Sequence, residues 1–251
     1  MLKSRLCIAF FAFAVGCAPA QKPLTDYVNP MLGTARRGDS VDLGFKPTKR
    51  TWGAEVFPGS SLPNAMVQVS PVTKFHSGAG YQYEDSVIYG FTHTNKGHWN
   101  LCHIPLLPVT GTPTPGDYCS PFSHERESAA PGYYQVFLDR YGVDAQLSST
   151  LRCAFHKYTY PAGAAASLLA DLQRSNEHVR AWDIRKEGDN VFAGWQQTGE
   201  KMYFYAVANR PVTGIEPVVE GDREVRIVRF GEGDGALELR IGFSFVRETN
   251  A

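Results

Sequence analysis

The chain has 251 residues, with 25 basic and 25 acidic side chains, long enough to bury a sizeable core as one unit. Balanced charge with no block of one sign excludes an electrostatic footprint for nucleic acid or for an anionic membrane surface. The 15 Phe, 12 Tyr and 4 Trp favour strands, and exposed aromatics also stack on the apolar faces of sugar rings.

Lys3 and Arg5 precede a short apolar run, Leu6 to Val15. That run is too short to span a bilayer, and it reads as an export signal. Ala14-Val15-Gly16-Cys17 resembles a bacterial lipoprotein processing site, so residues 1–17 are expected to be removed or processed. Cys17 would then be the lipidated first residue, and the membrane would be met only through that anchor. An ordinary secretory signal cut near Ala20 is the alternative. Both put the mature chain outside the cytoplasm, in the periplasm or on the outer-membrane surface. Residues 18–25 would be a short tether, and 26–251 the folded domain.

Asp26 to Pro71 is rich in Gly and Pro and reads as loops between short strands. Met66 to Val69 is expected as a strand stopped by Pro71. Ile104 to Thr110, broken by two prolines, is expected near a sheet edge. Tyr133 to Leu138 and Val143 to Leu147 flank a Tyr-Gly turn. Leu151, Cys153 and Phe155 alternate with polar neighbours, and Ala164 to Leu172 reads as a buried strand. Val179 to Lys186 and Val191 to Gln196 form a hairpin around Glu187-Gly188-Asp189-Asn190. Met202 to Asn209, Val225 to Phe230 and Leu237 to Phe245 complete the strands. No stretch after the leader has convincing helical periodicity. Many short strands with regular turn signals predict an all-β, antiparallel β-sandwich.

The richest chemistry lies in Tyr89 to His103, which holds three His, two Asn, one Lys and one Trp. Sugar hydroxyls need paired donors and acceptors, and a ring C–H face needs an aromatic plane. The segment is therefore a candidate sugar loop, with a polar surface loop carrying an inward Trp as the plain alternative. His93, His98 and His103 recur every five residues, a spacing that gathers them on no common face, and no Cys/His cluster has zinc spacing. Hydrolysis of a glycoside normally needs two carboxyl groups. Glu55, Glu84, Asp85, Glu125 and Glu127 are available, but none lies in a sequence setting that marks it as catalytic. Cys102, Cys119 and Cys153 are odd in number. A Cys102–Cys119 disulfide is possible, and buried inert thiols are the default.

Several blocks carry a resemblance. Asp26-Tyr27-Val28-Asn29-Pro30-Met31-Leu32-Gly33-Thr34, Phe57-Pro58-Gly59-Ser60-Ser61-Leu62-Pro63 and Met66-Val67-Gln68-Val69-Ser70-Pro71 come first. Gly80-Tyr81-Gln82-Tyr83, Ile88-Tyr89-Gly90-Phe91-Thr92-His93-Thr94 and Leu106-Leu107-Pro108-Val109-Thr110-Gly111 follow. Pro131-Gly132-Tyr133-Tyr134 and Phe155-His156-Lys157-Tyr158-Thr159-Tyr160-Pro161 come later in the same order. Across roughly 25 to 247 the chain resembles the N-terminal domain of glycoside hydrolase family 92, the exo-α-mannosidases. The resemblance implies a galactose-mutarotase-like supersandwich that precedes a C-terminal (α/α)6 barrel. It implies calcium-dependent, inverting hydrolysis of α-mannosides such as N-glycans, with the acid, the base and most of the calcium site in the barrel. No catalytic residue and no metal ligand are expected in this chain. The barrel would be supplied in cis or in trans. His93, Asn95, His98, Trp99 and Asn100 are expected to contact a mannose-containing glycan, with Phe57 and Gly59 shaping the rim. Asn95 to Cys102 departs from the Leu-Ser-Gly-Thr-Gly-Cys type of stretch common in the family, and Glu55-Val56 replaces a common Asn-Thr. A surface lipoprotein that binds glycan without hydrolysing it is the alternative reading.

Overall fold

A computed structural model describes residues 22–35, 55–95, 101–233 and 235–251. In chain order the strands are β1 (Ser60–Ser61), β2 (Gln68–Val72), β3 (Val87–Ile88), β4 (Gly90–Thr92), β5 (Leu106–Val109) and β6 (Ser120–Pro121). They continue with β7 (Glu127–Ala130), β8 (Tyr133–Leu138), β9 (Val143–Ser149), β10 (Cys153–Thr159), β11 (Ser167–Ala170) and β12 (Ala181–Gly188). The last five are β13 (Val191–Gln197), β14 (Lys201–Ala208), β15 (Val212–Glu220), β16 (Arg223–Phe230) and β17 (Leu237–Ser244). The helical elements among the described residues are three short 3₁₀ turns.

Two antiparallel sheets form the predicted sandwich. One runs β1-β2-β4-β5-β11-β16-β15 and the other β12-β13-β14-β17-β10-β9-β8-β7. Strands of the second sheet alternate buried and half-exposed residues, as in β8 and β14. Their inner side chains meet β2, β5, β11 and β16 in one core. Phe91, Tyr134, Tyr158, Phe204 and Phe243 are fully buried there, and each such side chain contributes about 1.5–3 kcal/mol by leaving water. β11 is buried at every position, as its unbroken apolar run predicts.

Two strand expectations change. Pro71 does not stop β2 but lies within it, paired with Phe91. The neighbouring β1 pairs only with Gln68 and Val69, so no ladder bond is asked of the proline on that side. β5 is not near an edge, because it runs between β4 and β11. It meets β4 only at Phe91–Leu106, which leaves Pro108 with a partner on the β11 side alone. The edge strand β15 has no counterpart in the sequence reading. Its Gly214 and Pro217 interrupt the pattern, and most of its residues keep some exposure. The Cys102–Cys119 disulfide does not form, since Cys119 is a free thiol.

Candidate functional site

β1, β2 and β4 bring the Phe57-Pro58-Gly59 segment and the root of the 94–102 loop to one end of the seven-stranded sheet. Ser61 pairs with Gln68, the Gln68 N–H donates to the His93 carbonyl, and the Asn95 N–H donates to Gln68 Oε1 at 3.0 Å. Gly59 is required by close approach, because a Cβ there would lie 1.9 Å from the Val69 carbonyl oxygen. Phe57 is half-buried. His98, Trp99 and Asn100 lie outside the described residues.

The loop stem is strained and cross-braced. Cys102 and Ile104 have φ of 60° and 54°, a left-handed conformation that is a real outlier for the β-branched Ile104. Both backbone groups of Ile104 are held by side chains. Its N–H donates to Gln196 Oε1 at 2.8 Å, and its carbonyl accepts from His93 Nδ1 at 2.9 Å. The Gln196 amide in turn donates to the carbonyls of Leu172 and Arg174.

His93 is therefore placed differently from the sugar-contacting position expected of it. It is fully buried. Its Nε2 faces His156 Nε2 at 3.2 Å, and His156 Nδ1 faces the Tyr158 hydroxyl at 2.5 Å. A carbonyl can only accept, so His93 carries its proton on Nδ1. The chain then runs one way: Tyr158 O–H to His156 Nδ1, His156 Nε2–H to His93 Nε2, His93 Nδ1–H to the Ile104 carbonyl. Burial lowers the His93 pKa to about 3. His156 is pushed well below its ordinary value by burial and by His93. Asn95 is also buried, and its amide donates to the Ala79 carbonyl at 2.9 Å. Both residues brace the loop stem.

A second chain links the stem to the surface. Thr94 Oγ1 donates to His103 Nδ1 at 2.9 Å, and His103 Nε2 donates to Thr198 Oγ1 at 3.0 Å. The Thr198 hydroxyl donates to Glu177 Oε2 at 2.6 Å. Burial lowers the His103 pKa against the pull of Glu177, which keeps the imidazole neutral, as this chain requires. The Thr198 hydrogen bond holds the Glu177 carboxyl below its usual value.

Glu177 stands in an open groove of about 760 Å³, lined also by Arg174, Arg180, Trp182 and Arg223. The groove abuts the loop stem, because Ser175 Oγ and the Asn176 N–H both donate to the Leu101 carbonyl. Arg174 stacks near Phe75, Tyr89 and Tyr118 and separates the groove from a second hollow that holds Glu84 and Asp85. Those two carboxylates lie on a turn rather than a strand, and Asp85 accepts from Thr73 Oγ1. Glu127 is buried and accepts from Tyr81, Tyr134 and His124, so it serves the interior. Glu177, Gln196 and Thr198 were not legible as site residues. They come from distant strands and loops, and no spacing in the sequence connects them to the 94–102 loop.

The fold is an antiparallel two-sheet β-sandwich with a strained loop stem and a polar groove at one sheet end. The chain belongs to glycosyl hydrolase family 92, as its N-terminal domain: residues 27–244 match the description "Glycosyl hydrolase family 92 N-terminal domain". Among solved structures it is similar to the family 92 α-mannosidase BT3965 from Bacteroides thetaiotaomicron, solved alone and with mannoimidazole. The identity is 25%, the TM-score 0.76, and the match covers 91% of this chain and 34% of that one when solved alone. The family 92 inverting mannosidase BT2199 from Bacteroides thetaiotaomicron VPI-5482 matches at 22% identity and TM-score 0.71, over 90% of this chain and 32% of that one. This second likeness speaks to the fold alone. The chain thus spans about a third of the length of these solved relatives. No curated protein matches it.

Proposed function

We propose that this chain is the substrate-contacting module of a calcium-dependent, inverting exo-α-mannosidase acting on mannose-containing glycans such as N-glycans, exported as a lipoprotein through Cys17. The catalytic acid and base belong to a C-terminal (α/α)6 domain, present in cis or in trans, and the sandwich alone does not hydrolyse. Inversion requires two carboxyls with a water between them. In this reading Trp99 stacks on or walls the sugar, His98 and Asn100 bond its hydroxyls, and Phe57 and Gly59 form the rim. His93 and Asn95 act from beneath by holding the loop. The observation that carries the reading is the strained stem at Ile104, braced by His93 and Gln196 on a chain of this family. Strain of this kind persists where the surroundings over-determine it, and it clusters at ligand-contacting segments.

Calcium finds no group of three or more His, Cys, Asp or Glu able to hold it among the described residues, and the proposal assigns its ligands to the C-terminal domain. Leu24, Tyr27, Val28 and Leu32 are exposed on one short segment, an apolar surface of the kind a further domain covers. The test is Trp99→Ala in the enzyme that carries both domains. kcat/KM on an α-mannoside should fall with the far-UV spectrum of the sandwich unchanged. Unaltered kinetics would remove Trp99 from the site.

A further inference from the structure

The groove beside the loop stem has an exposed carboxylate, a guanidinium and an indole of its own. We propose that it binds a neutral pyranoside, with Glu177 accepting two hydroxyls, Arg180 donating to a third oxygen and Trp182 lying along the ring. The choice of a mannoside rests on the proposed function, whereas the groove rests on its own geometry.

Glu177 is anchored by the Thr198 hydroxyl and by the Gly199 backbone. Oε2 takes the Thr198 hydroxyl, while the side chain keeps 45% of its surface in the groove. A carboxylate fixed in this way is a preorganised acceptor that costs little to order on binding. Three side chains hold it. Thr198 touches it directly, His103 orients Thr198, and Thr94 orients His103. This is more support than a solvated loop carboxylate receives. Arg180 is exposed, its N–H is tied to the Gln197 carbonyl, and it makes no ion pair among the described residues. Trp182 is half-buried, with Arg226 near its ring at 5.3 Å.

Three guanidinium groups meet two carboxylates here, so the groove carries little net charge for an ionic ligand to exploit. Arg223 is bonded to the buried Asp171 at 2.6 Å, and Arg174 lies 4.0 Å from the same oxygen. Two of the three guanidinium groups are therefore already offset in part. Glu177 is ionised and would repel an anion. Beside the mixed donors and acceptors of His76, Gln173 and His178, Glu177 supplies an acceptor-only group, Arg180 a donor-only group and Trp182 an indole. A hydroxyl both donates and accepts, so a polyol ring satisfies all three. The groove volume of about 760 Å³ falls within the roughly 300–1,000 Å³ of small-ligand sites.

The test is titration of the isotope-labelled chain with methyl α-mannoside at millimolar concentration, followed by NMR. The Trp182 indole and the 175–182 amides should shift. Glu177→Gln and Trp182→Ala should each weaken binding by about tenfold, the loss expected for one charge-assisted hydrogen bond or one stacking face. Thr198→Val tests positioning. Without its hydroxyl the Glu177 carboxyl protonates more readily, so affinity should begin to fall at a higher pH than in the wild type. A merely structural effect would lower affinity without moving that profile. The proposal is overturned by shifts confined to other regions, by wild-type affinity in Glu177→Gln and Trp182→Ala, or by no binding to the folded chain. None of these bears on the Trp99→Ala turnover test, so the groove and the loop stand or fall separately.

Discussion

Acidification should destabilise this domain well before its ordinary carboxylates titrate. His93 is fully buried, and burial lowers its pKa to about 3 from an ordinary 6.5. In the unfolded chain the imidazole binds a proton below pH 6.5, while in the folded chain it does not until about pH 3. The unfolded state therefore holds more protons across that window, so the stabilisation is complete above pH 6.5 and is lost as pH falls. One unit is worth about 1.4 kcal/mol. At pH 4.5, two units below 6.5, His93 alone should cost about 3 kcal/mol. His156, also fully buried, acts in the same direction. An added proton would also break the His156-to-His93 hydrogen bond, since both facing nitrogens would then be donors. Against a typical total of about 5–15 kcal/mol, this is a large loss. Urea denaturation followed by tryptophan fluorescence at pH 7.5, 6.0, 5.0 and 4.5 measures it. The midpoint should fall steadily below pH 6.5. The double variant His93→Leu with His156→Leu should be weaker at pH 7.5 yet lose most of the slope. A wild-type midpoint that stays flat from pH 6.5 to 4.5 would refute the buried neutral pair.

Gly59→Ala would drive a Cβ to 1.9 Å from the Val69 carbonyl, and because backbone cannot yield cheaply, a loss of about 3 kcal/mol or more is expected in the same denaturation assay. Gln196→Leu strips the strained Ile104 N–H and two carbonyls of their partners. It should cost about 2–4 kcal/mol, and it should raise hydrogen exchange at Ile104 and the adjoining stem before the sheets open.

Most of the sandwich was legible because period two and turn chemistry agree along the chain. β17 alternates as its sequence does, and the Glu187–Asn190 turn joins β12 to β13. Proline misled the reading twice. Pro71 and Pro108 are rejected by a full ladder, but here a two-residue β1 and a single β4–β5 pair leave one side unpaired. The candidate segment stood out in the sequence, but where its side chains turn did not. A histidine beside Asn and Trp looks like a ligand group, and nothing local reveals that His93 turns inward to His156, 63 positions away. Glu177 gains its place from Thr198 and His103 in the same non-local way. Pairings of that kind depend on which strands become neighbours, and a single sequence does not carry that information.

In the proposed function this chain recognises mannoside beside catalytic groups carried elsewhere. Incubation of the purified chain with an α-mannobiose and calcium, watched by NMR for both saturation transfer to the sugar and released mannose, tests it most directly. The account predicts transfer to the disaccharide with no free mannose formed. Steady release of mannose by the chain alone would contradict it.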